Sequence, residues 1–364
     1  MRFSSIDLFS GGGGLSEGLR QAGFSINAAV EIDPVASDTF RLNHKGAVVI
    51  ERDIKYVSSS QLAKECGIKY GQLDLLAGCP PCQGFSSLTS KYKRDDSRNS
   101  LIKEVSRLVK DLKPRTVMIE NVPGLMGKGR DYLSAFVQDL EELGYIVNYD
   151  VLQVADYGIP QERRRFVLLA GLGFEIEIPK PTHSRTGNNG LPKWKTVREA
   201  FSGLGKPVPL DQSISYGGPQ SVNWNIIRNL STINIERLKH VRPGGPRYDI
   251  PDPLRPKCHQ GKNSGFGNVY GRMSWDKPSP TITGGCTVLS KGRFGHPTEL
   301  RTISVREAAR LQTFPDSFQF ATDFIDHACQ IIGNALPCEF ARIMGKACHE
   351  KLSSNLIPET EGYI

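Results

Sequence analysis

Apolar positions in the first 175 residues recur with two alternating periods. Residues 4–9 (SSIDLF) form a short β-rich run, and SGGGG at 10–14 interrupts it. The next stretch, LSEGLRQAG, repeats apolar residues at helical spacing and stops at Gly23. Residues 25–31 (SINAAVE) are strand-like, and Asp33 with Pro34 suits the N-cap and first position of a helix reaching Asn43. Further strand-like runs fall at 47–50, 73–77, 115–120 and 164–171, with helical patterns at 99–112 and 131–143. Runs apolar on both faces, alternating with helices, predict an α/β fold with a parallel sheet covered on both sides.

The rhythm stops after Gly173. Residues 176–300 are rich in Pro, Gly, Asn and Lys, as in RTGNNGLPKW and VRPGGPRYDIPDPLRP, and show little periodicity. Trp194, Trp224 and Trp275 supply apolar anchors there, which predicts a loop-dominated second module rather than a linker. Helical order returns at SVREAARLQTF, where Ser304 and Glu307 have the spacing of a capping box. A last helix is predicted from about Pro337 to Lys351.

Charge sharpens this division. Residues 176–300 carry 18 Lys and Arg against 8 Asp and Glu, whereas residues 1–175 balance at 22 against 22. A basic module beside near-neutral ones points to a polyanionic partner, most simply nucleic acid. The start, MRFSSIDLF, has no cationic stretch followed by a long apolar one, and no apolar run is long enough to span a bilayer. A cytoplasmic protein without membrane attachment is expected, its eight cysteines being thiols rather than a disulfide framework.

The candidate chemistry sits at strand ends. The glycine turn at 11–14 follows the first strand, where α/β folds bind nucleotides, but Ser16 and Glu17 break the G-x-G-x-x-G pattern. Glu31 and Asp53 end the next two strand regions, placed to accept from ribose hydroxyls and an adenine amino group. Carboxylates without a phosphate cradle suit S-adenosylmethionine better than NAD or ATP. The stretch LAGCPPCQGFSSL holds the chain's single Cys-x-x-Cys, Cys79 and Cys82. Zinc needs four ligands and no second pair exists, so no metal site is expected. A dithiol redox pair usually opens a helix, which the following QGFSS does not. A reactive thiolate fits if an acid and cations stand nearby, and Glu120 in VMIENVPG with the arginines of QERRR (161–165) supplies both types.

These segments, taken in order, resemble the cytosine-C5 DNA methyltransferases nearly end to end. DLFSGGGGLSEGL, GCPPCQGFS, ENVPG, QERRR, RTISVREAARLQTFPDSF (301–318) and GNALP (333–337) match the family's ordered motifs, and DSRNSL (96–101) and PSPTITGG (278–285) also fit. Cys79 occupies a position that varies in the family and is assigned no chemistry.

The resemblance implies a Rossmann-like S-adenosylmethionine-dependent methyltransferase fold, with a mostly parallel sheet and a smaller target-recognition domain. Residues 1–175 and 301–364 would form a discontinuous catalytic domain and 176–300 the recognition domain. It implies Cys82 as the nucleophile attacking cytosine C6, Glu120 as the acid at N3, and Arg163 and Arg165 as the groups holding O2 and the developing anion. The cofactor would lie against Asp7, Phe9, Ser10, Gly11, Gly13, Gly14, Leu15, Glu31, Ile32, Asp53, Ile54, Pro81 and Asn334. The target base must leave the duplex, with Ser86, Lys91, Arg98 and Thr281 expected on the DNA. The expected partner is double-stranded DNA, bound by a monomer, with a cognate restriction endonuclease acting on the same site without a stable complex. Two rivals remain at this point: an RNA (tRNA) cytosine methyltransferase on the same fold, and a catalytically silent DNA-binding paralogue. The long basic segment argues against the first, and the unbroken motif set against the second.

Overall fold

The computed structural model describes residues 2–81, 101–188 and 190–355. Seven strands form one sheet: β1 (Phe3–Leu8), β2 (Phe24–Glu31), β3 (Val48–Glu51), β4 (Leu75–Gly78), β5 (Thr116–Asn121), β6 (Tyr145–Gln153) and β7 (Arg164–Leu172). Their order is β3-β2-β1-β4-β5-β7-β6, parallel except that β7 runs antiparallel to both neighbours. The sheet is covered by α1 (Gly14–Gln21), α2 (Pro34–Asn43), α3 (Ser59–Cys66), α4 (Leu101–Leu112) and α5 (Arg130–Glu142). The order β3-β2-β1-β4 reverses at β1, and such a switch point opens a crevice beyond the strand ends.

Alternation along the central strands divides the core in two. Leu76, Val117 and Ile119 face one side, with Val105, Leu108 and Phe136 of α4 and α5. Leu75, Ala77 and Met118 face the other, with Leu15 and Leu19 of α1 and with Phe340, Met344 and Cys348. The last three belong to α11 (Cys338–Ser354), so the C-terminal helix returns to the first sheet. It approaches α1 so closely that a Cβ on Gly18 would collide with the Cys338 carbonyl and Ala341.

The segment after β7 is irregular, with α6 (Val197–Phe201), α7 (Leu210–Ser213), α8 (Thr232–His240) and a two-residue pairing of β8 (Val208–Pro209) with β9 (Ile226–Ile227). A third apolar cluster joins Val197, Trp224, Met273, Ile282 and Phe294 to residues of α9 (Val305–Leu311) and α10 (Ile325–Asn334). Residues 301–335 therefore share a core with residues 176–300 as well as a chain with α11. The capping box is present: Ser304 Oγ accepts from Glu307 N at 3.0 Å, and Glu307 Oε2 accepts from Ser304 N at 2.6 Å.

Candidate active site

β1 ends in a turn that leaves the sheet in left-handed backbone, with φ 59 at Phe9, 53 at Gly11 and 97 at Gly13. Such backbone is cheap for glycine and costs a residue with a side chain on the order of 1–3 kcal/mol, so Phe9 is held there by its surroundings. Glu31 at the end of β2 clasps the turn. Its Oε2 accepts from Gly11 N at 2.8 Å, and its Oε1 accepts from Ile32 N and Asp33 N, each at 2.9 Å. Asp53 lies two residues beyond β3 and caps the turn Ile54–Tyr56, accepting from Lys55 N at 3.0 Å. Behind the turn, His44 Nε2 lies 3.1 Å from the Gly13 carbonyl. Burial lowers the His44 pKa, so the neutral ring donates from Nε2.

Two concavities meet over these groups. One, of about 330 Å³, is walled by Phe9, Ser10, Gly11, Gly14, Leu15 and Glu31, and by Glu120, Arg163, Arg165 and Asn334 on its far side. The other, of about 260 Å³, holds Asp53 and Ile54. Phe9, Glu31, Ile32 and Pro81 line both, and Ile32 is 63% exposed between them. Asp7 and Gly13, both expected at the cofactor, lie behind this wall. Asp7 is fully buried and accepts from Ser16 Oγ at 2.7 Å, while its Oδ1 has no partner among the described residues. Burial pushes its pKa up to about 7, with Glu31 adding to the effect.

The register sets the far side of the cleft. Gly78 of β4 pairs with Ile119 of β5, so Cys79 and Glu120 come next to each other at the sheet edge. Glu120 Oε1 meets Arg165 Nε at 2.6 Å. The arginines of QERRR follow the C-terminal end of β6. They stand at the start of β7, and its antiparallel course brings them to the same edge. Arg163 is buried, its Nη1 donating to the Ile282 carbonyl at 3.2 Å and its Nε without a partner among the described residues. Burial and the adjacent Arg165 lower the Arg163 pKa, and Glu120 offsets this in part. Two guanidiniums against one carboxylate leave an excess positive charge facing the cleft, which favours an anion there. Cys79 is half-buried, and desolvation with Glu120 and Asp7 beside it pushes its thiol well above the usual value. Cys79 is a protonated neighbour of the site.

Several supports went unnoticed in the sequence. Asn121 Nδ2 donates to the Pro80 carbonyl at 3.0 Å and fixes the chain just after β4. Gln161 is buried: its Nε2 donates to Gln312 Oε1 at 2.8 Å, and its Oε1 accepts from Ile282 N at 3.0 Å. Thr281, expected on the DNA, donates to the Glu162 carbonyl at 2.9 Å and so braces the arginine turn. At Gly333 a Cβ would overlap the Thr283–Gly284 backbone, which accounts for the glycine of GNALP. Their partners are scattered along the chain and mostly backbone groups, which leaves no periodic signal. Cys82, Ser86, Lys91 and Arg98 lie outside the described residues.

A switch-point crevice with carboxylates at successive strand ends and an acid–arginine pair opposite defines a Rossmann-like methyltransferase class. The C-5 cytosine-specific DNA methylase family model matches residues 3–350, and the chain belongs to that family. It is 39% identical over 348 residues to the Type II methylase M.HgiDII of Herpetosiphon aurantiacus, covering 94% of each chain. It is 36% identical to the Type II methyltransferase M1.HphI of Haemophilus parahaemolyticus, covering 95% of this chain and 87% of the relative. The fold is similar to S. pombe Dnmt2 methyltransferase, with a TM-score of 0.64 at 19% identity, covering 97% of this chain and 99% of that one. That last likeness shows the fold alone. Neither rival reading is favoured by these similarities. Among the described residues, no helix is long and apolar enough to cross a membrane.

Proposed function

We propose that this chain is the modification methyltransferase of a restriction–modification system, adding a methyl group to C5 of a cytosine flipped out of duplex DNA. The single observation that carries this reading is the Glu120–Arg165 pair at 2.6 Å, with Arg163, across one cleft from the Glu31 clasp. Its relatives of Type II support the biological setting.

The residues present fit S-adenosylmethionine. Gly11 carries no atom within 4 Å of where a Cβ would stand, so a ligand can lie on its backbone. Exposed Ile32 offers an apolar surface between two carboxylates, as a nucleoside requires. Glu31 would take the ribose hydroxyls; Asp53, Ile54 and Ile32 the adenine; Phe9, Ser10, Gly11, Gly14, Leu15, Pro81 and Asn334 the remainder. The cofactor supplies an electrophilic methyl group to C5.

The protein's part is to make C5 a nucleophile. Cys82 adds as thiolate to C6, which moves the C5–C6 π electrons toward C5. Glu120, protonated when the base enters, hydrogen-bonds N3 and passes its proton there as negative charge builds on the ring, becoming the carboxylate that pairs with Arg165. Arg165 holds the Glu120 carboxyl, and Arg163 with Arg165 stabilises charge at O2. After methylation the C5 proton leaves to base, the C6–S bond breaks by β-elimination, and Cys82 is freed. The basic segment 176–300 would grip phosphates and read bases, the protein acting as a monomer in the cytoplasm. Bisulfite sequencing of plasmid DNA from cells expressing the protein tests the reading. Protected cytosines in one sequence context are expected, and conversion of every cytosine would refute it.

A further inference from the structure

Within the recognition segment, residues 260–266 (QGKNSGF) are seven consecutive exposed positions, and the loop is internally locked. Two buried guanidiniums hold it. Arg247, 1% exposed, donates to the carbonyls of Gly265 at 2.9 Å, Phe266 at 3.3 Å and Ser264 at 3.4 Å, and to His259 Nδ1 at 2.7 Å. Arg255, 8% exposed, donates to the carbonyls of Ile250 at 2.8 Å and Tyr248 at 3.0 Å, and to Asn263 Oδ1 at 3.2 Å. Among the described residues, none of the Arg247 partners is a carboxylate. A buried cation neutralised only by carbonyls and an imidazole is costly, and a planar five-donor fork is the side chain able to gather several loop carbonyls at once.

The consequence appears at Phe266. With three successive carbonyls turned inward, its side chain is driven outward, 69% exposed, on left-handed backbone at φ 46. A single exposed apolar side chain is ordinary, but here the Arg247 lock holds a bulky residue on strained left-handed backbone, and held strain of that kind points to a contact made by the loop. Gln260, Lys262 and Asn263 are latched inside the loop, onto the Arg255 carbonyl, the Cys258 carbonyl and Arg255 respectively. Their engagement leaves Phe266 as the loop's large projecting group, in a segment whose net charge is positive.

We propose that Phe266 makes an apolar contact with base edges of the target duplex and determines sequence specificity, and that Arg247 is its positioning residue. This rests on the DNA-methylating reading above. The basic segment supplies phosphate contacts that carry no sequence information, whereas an apolar group on a base edge discriminates.

The test compares wild type with Phe266→Ala and Phe266→Leu, using a duplex carrying the site that bisulfite sequencing of wild-type-methylated plasmid identifies and a scrambled duplex. Phe266→Ala should lose about tenfold in affinity for the site duplex, with scrambled-duplex affinity and salt slope unchanged. Phe266→Leu should recover part of the loss. Arg247→Ala should lower discrimination in the same way; Phe266 is exposed, so its variants carry the test even if Arg247→Ala does not fold. Unchanged discrimination in Phe266→Ala, or equal losses on both duplexes, overturns the inference alone. A wild type that methylates no duplex overturns the functional reading and this inference with it.

Discussion

Replacing Arg165 by Ala should silence the enzyme without emptying its cofactor crevice. Arg165 Nε lies 2.6 Å from Glu120 Oε1, with side-chain exposures of 14% and 11%. Removing one partner of a buried pair leaves an uncompensated charge, at a cost of about 3–5 kcal/mol. In the resting protein a water molecule entering the vacated space recovers part of this. In the proposed reaction it cannot, because there Glu120 is to be held toward the base while charge builds on the ring. Loss of one such electrostatic group typically lowers kcat by about 10²- to 10³-fold. The Glu31 clasp and Asp53 lie on other strands, so affinity for S-adenosylmethionine should change by less than about threefold. The assay is incorporation of labelled methyl groups into plasmid DNA, beside calorimetric cofactor binding and thermal unfolding. Glu120→Gln and the double variant close a cycle, and the paired residues should be strongly non-additive. Additive losses, or an Arg165→Ala variant with near-normal turnover, would refute the reasoning.

Three further expectations follow from the geometry. Glu31→Ala should weaken S-adenosylmethionine binding and loosen the glycine turn, with DNA affinity retained; calorimetry and gel shifts separate the two, and the reverse pattern would contradict the assignment. Cys79→Ala should keep most of the methylation rate, since the Cys79 thiol stays protonated, while Cys82→Ala abolishes it; equal losses in the same assay would return the two cysteines to a joint role. Asp7 concerns stability: its pKa of about 7 in the fold exceeds the unfolded value of 3.8, so the folded state favours the protonated form. Stability should fall as pH rises from about 4 to 7 and level off above, by as much as roughly 4 kcal/mol. Asp7→Asn should remove this slope in urea unfolding from pH 5 to 8, and an unchanged slope would count against it.

How much of this was legible in the sequence depended on how each element is buried. β4 and β5 are apolar on both faces, and their runs stand out against polar surroundings. Asp33 caps α2 as its position before Pro34 implies. β6 was missed because it is an edge strand with Asn148 and Asp150 partly exposed, which dilutes the pattern. α3 was missed because it is short and buries Leu62 alone. The direction of β7 is not legible, since hydrophobic alternation carries no sense of polarity, whereas the arginines fall beside Glu120 at the sheet edge where the motif sits. The motifs named Glu120, Arg163 and Arg165, yet not what fixes them. Asn121 and Gln161 act on backbone carbonyls and amides that only the folded chain brings together. Arg247 and Arg255 read as generic basic charge in sequence, whereas the structure uses them inside a loop.

Covalent attack by Cys82 on the flipped cytosine is the central step of the proposed reaction. A duplex carrying 5-fluorocytosine at the target position blocks the final elimination, because fluorine cannot leave as a cation. Incubated with the protein and S-adenosylmethionine, it should give a denaturation-resistant protein–DNA complex. Mass spectrometry of its peptides should place the adduct on Cys82. A duplex that is bound at the correct site but leaves no covalent complex, or an adduct on Cys79, would contradict the account.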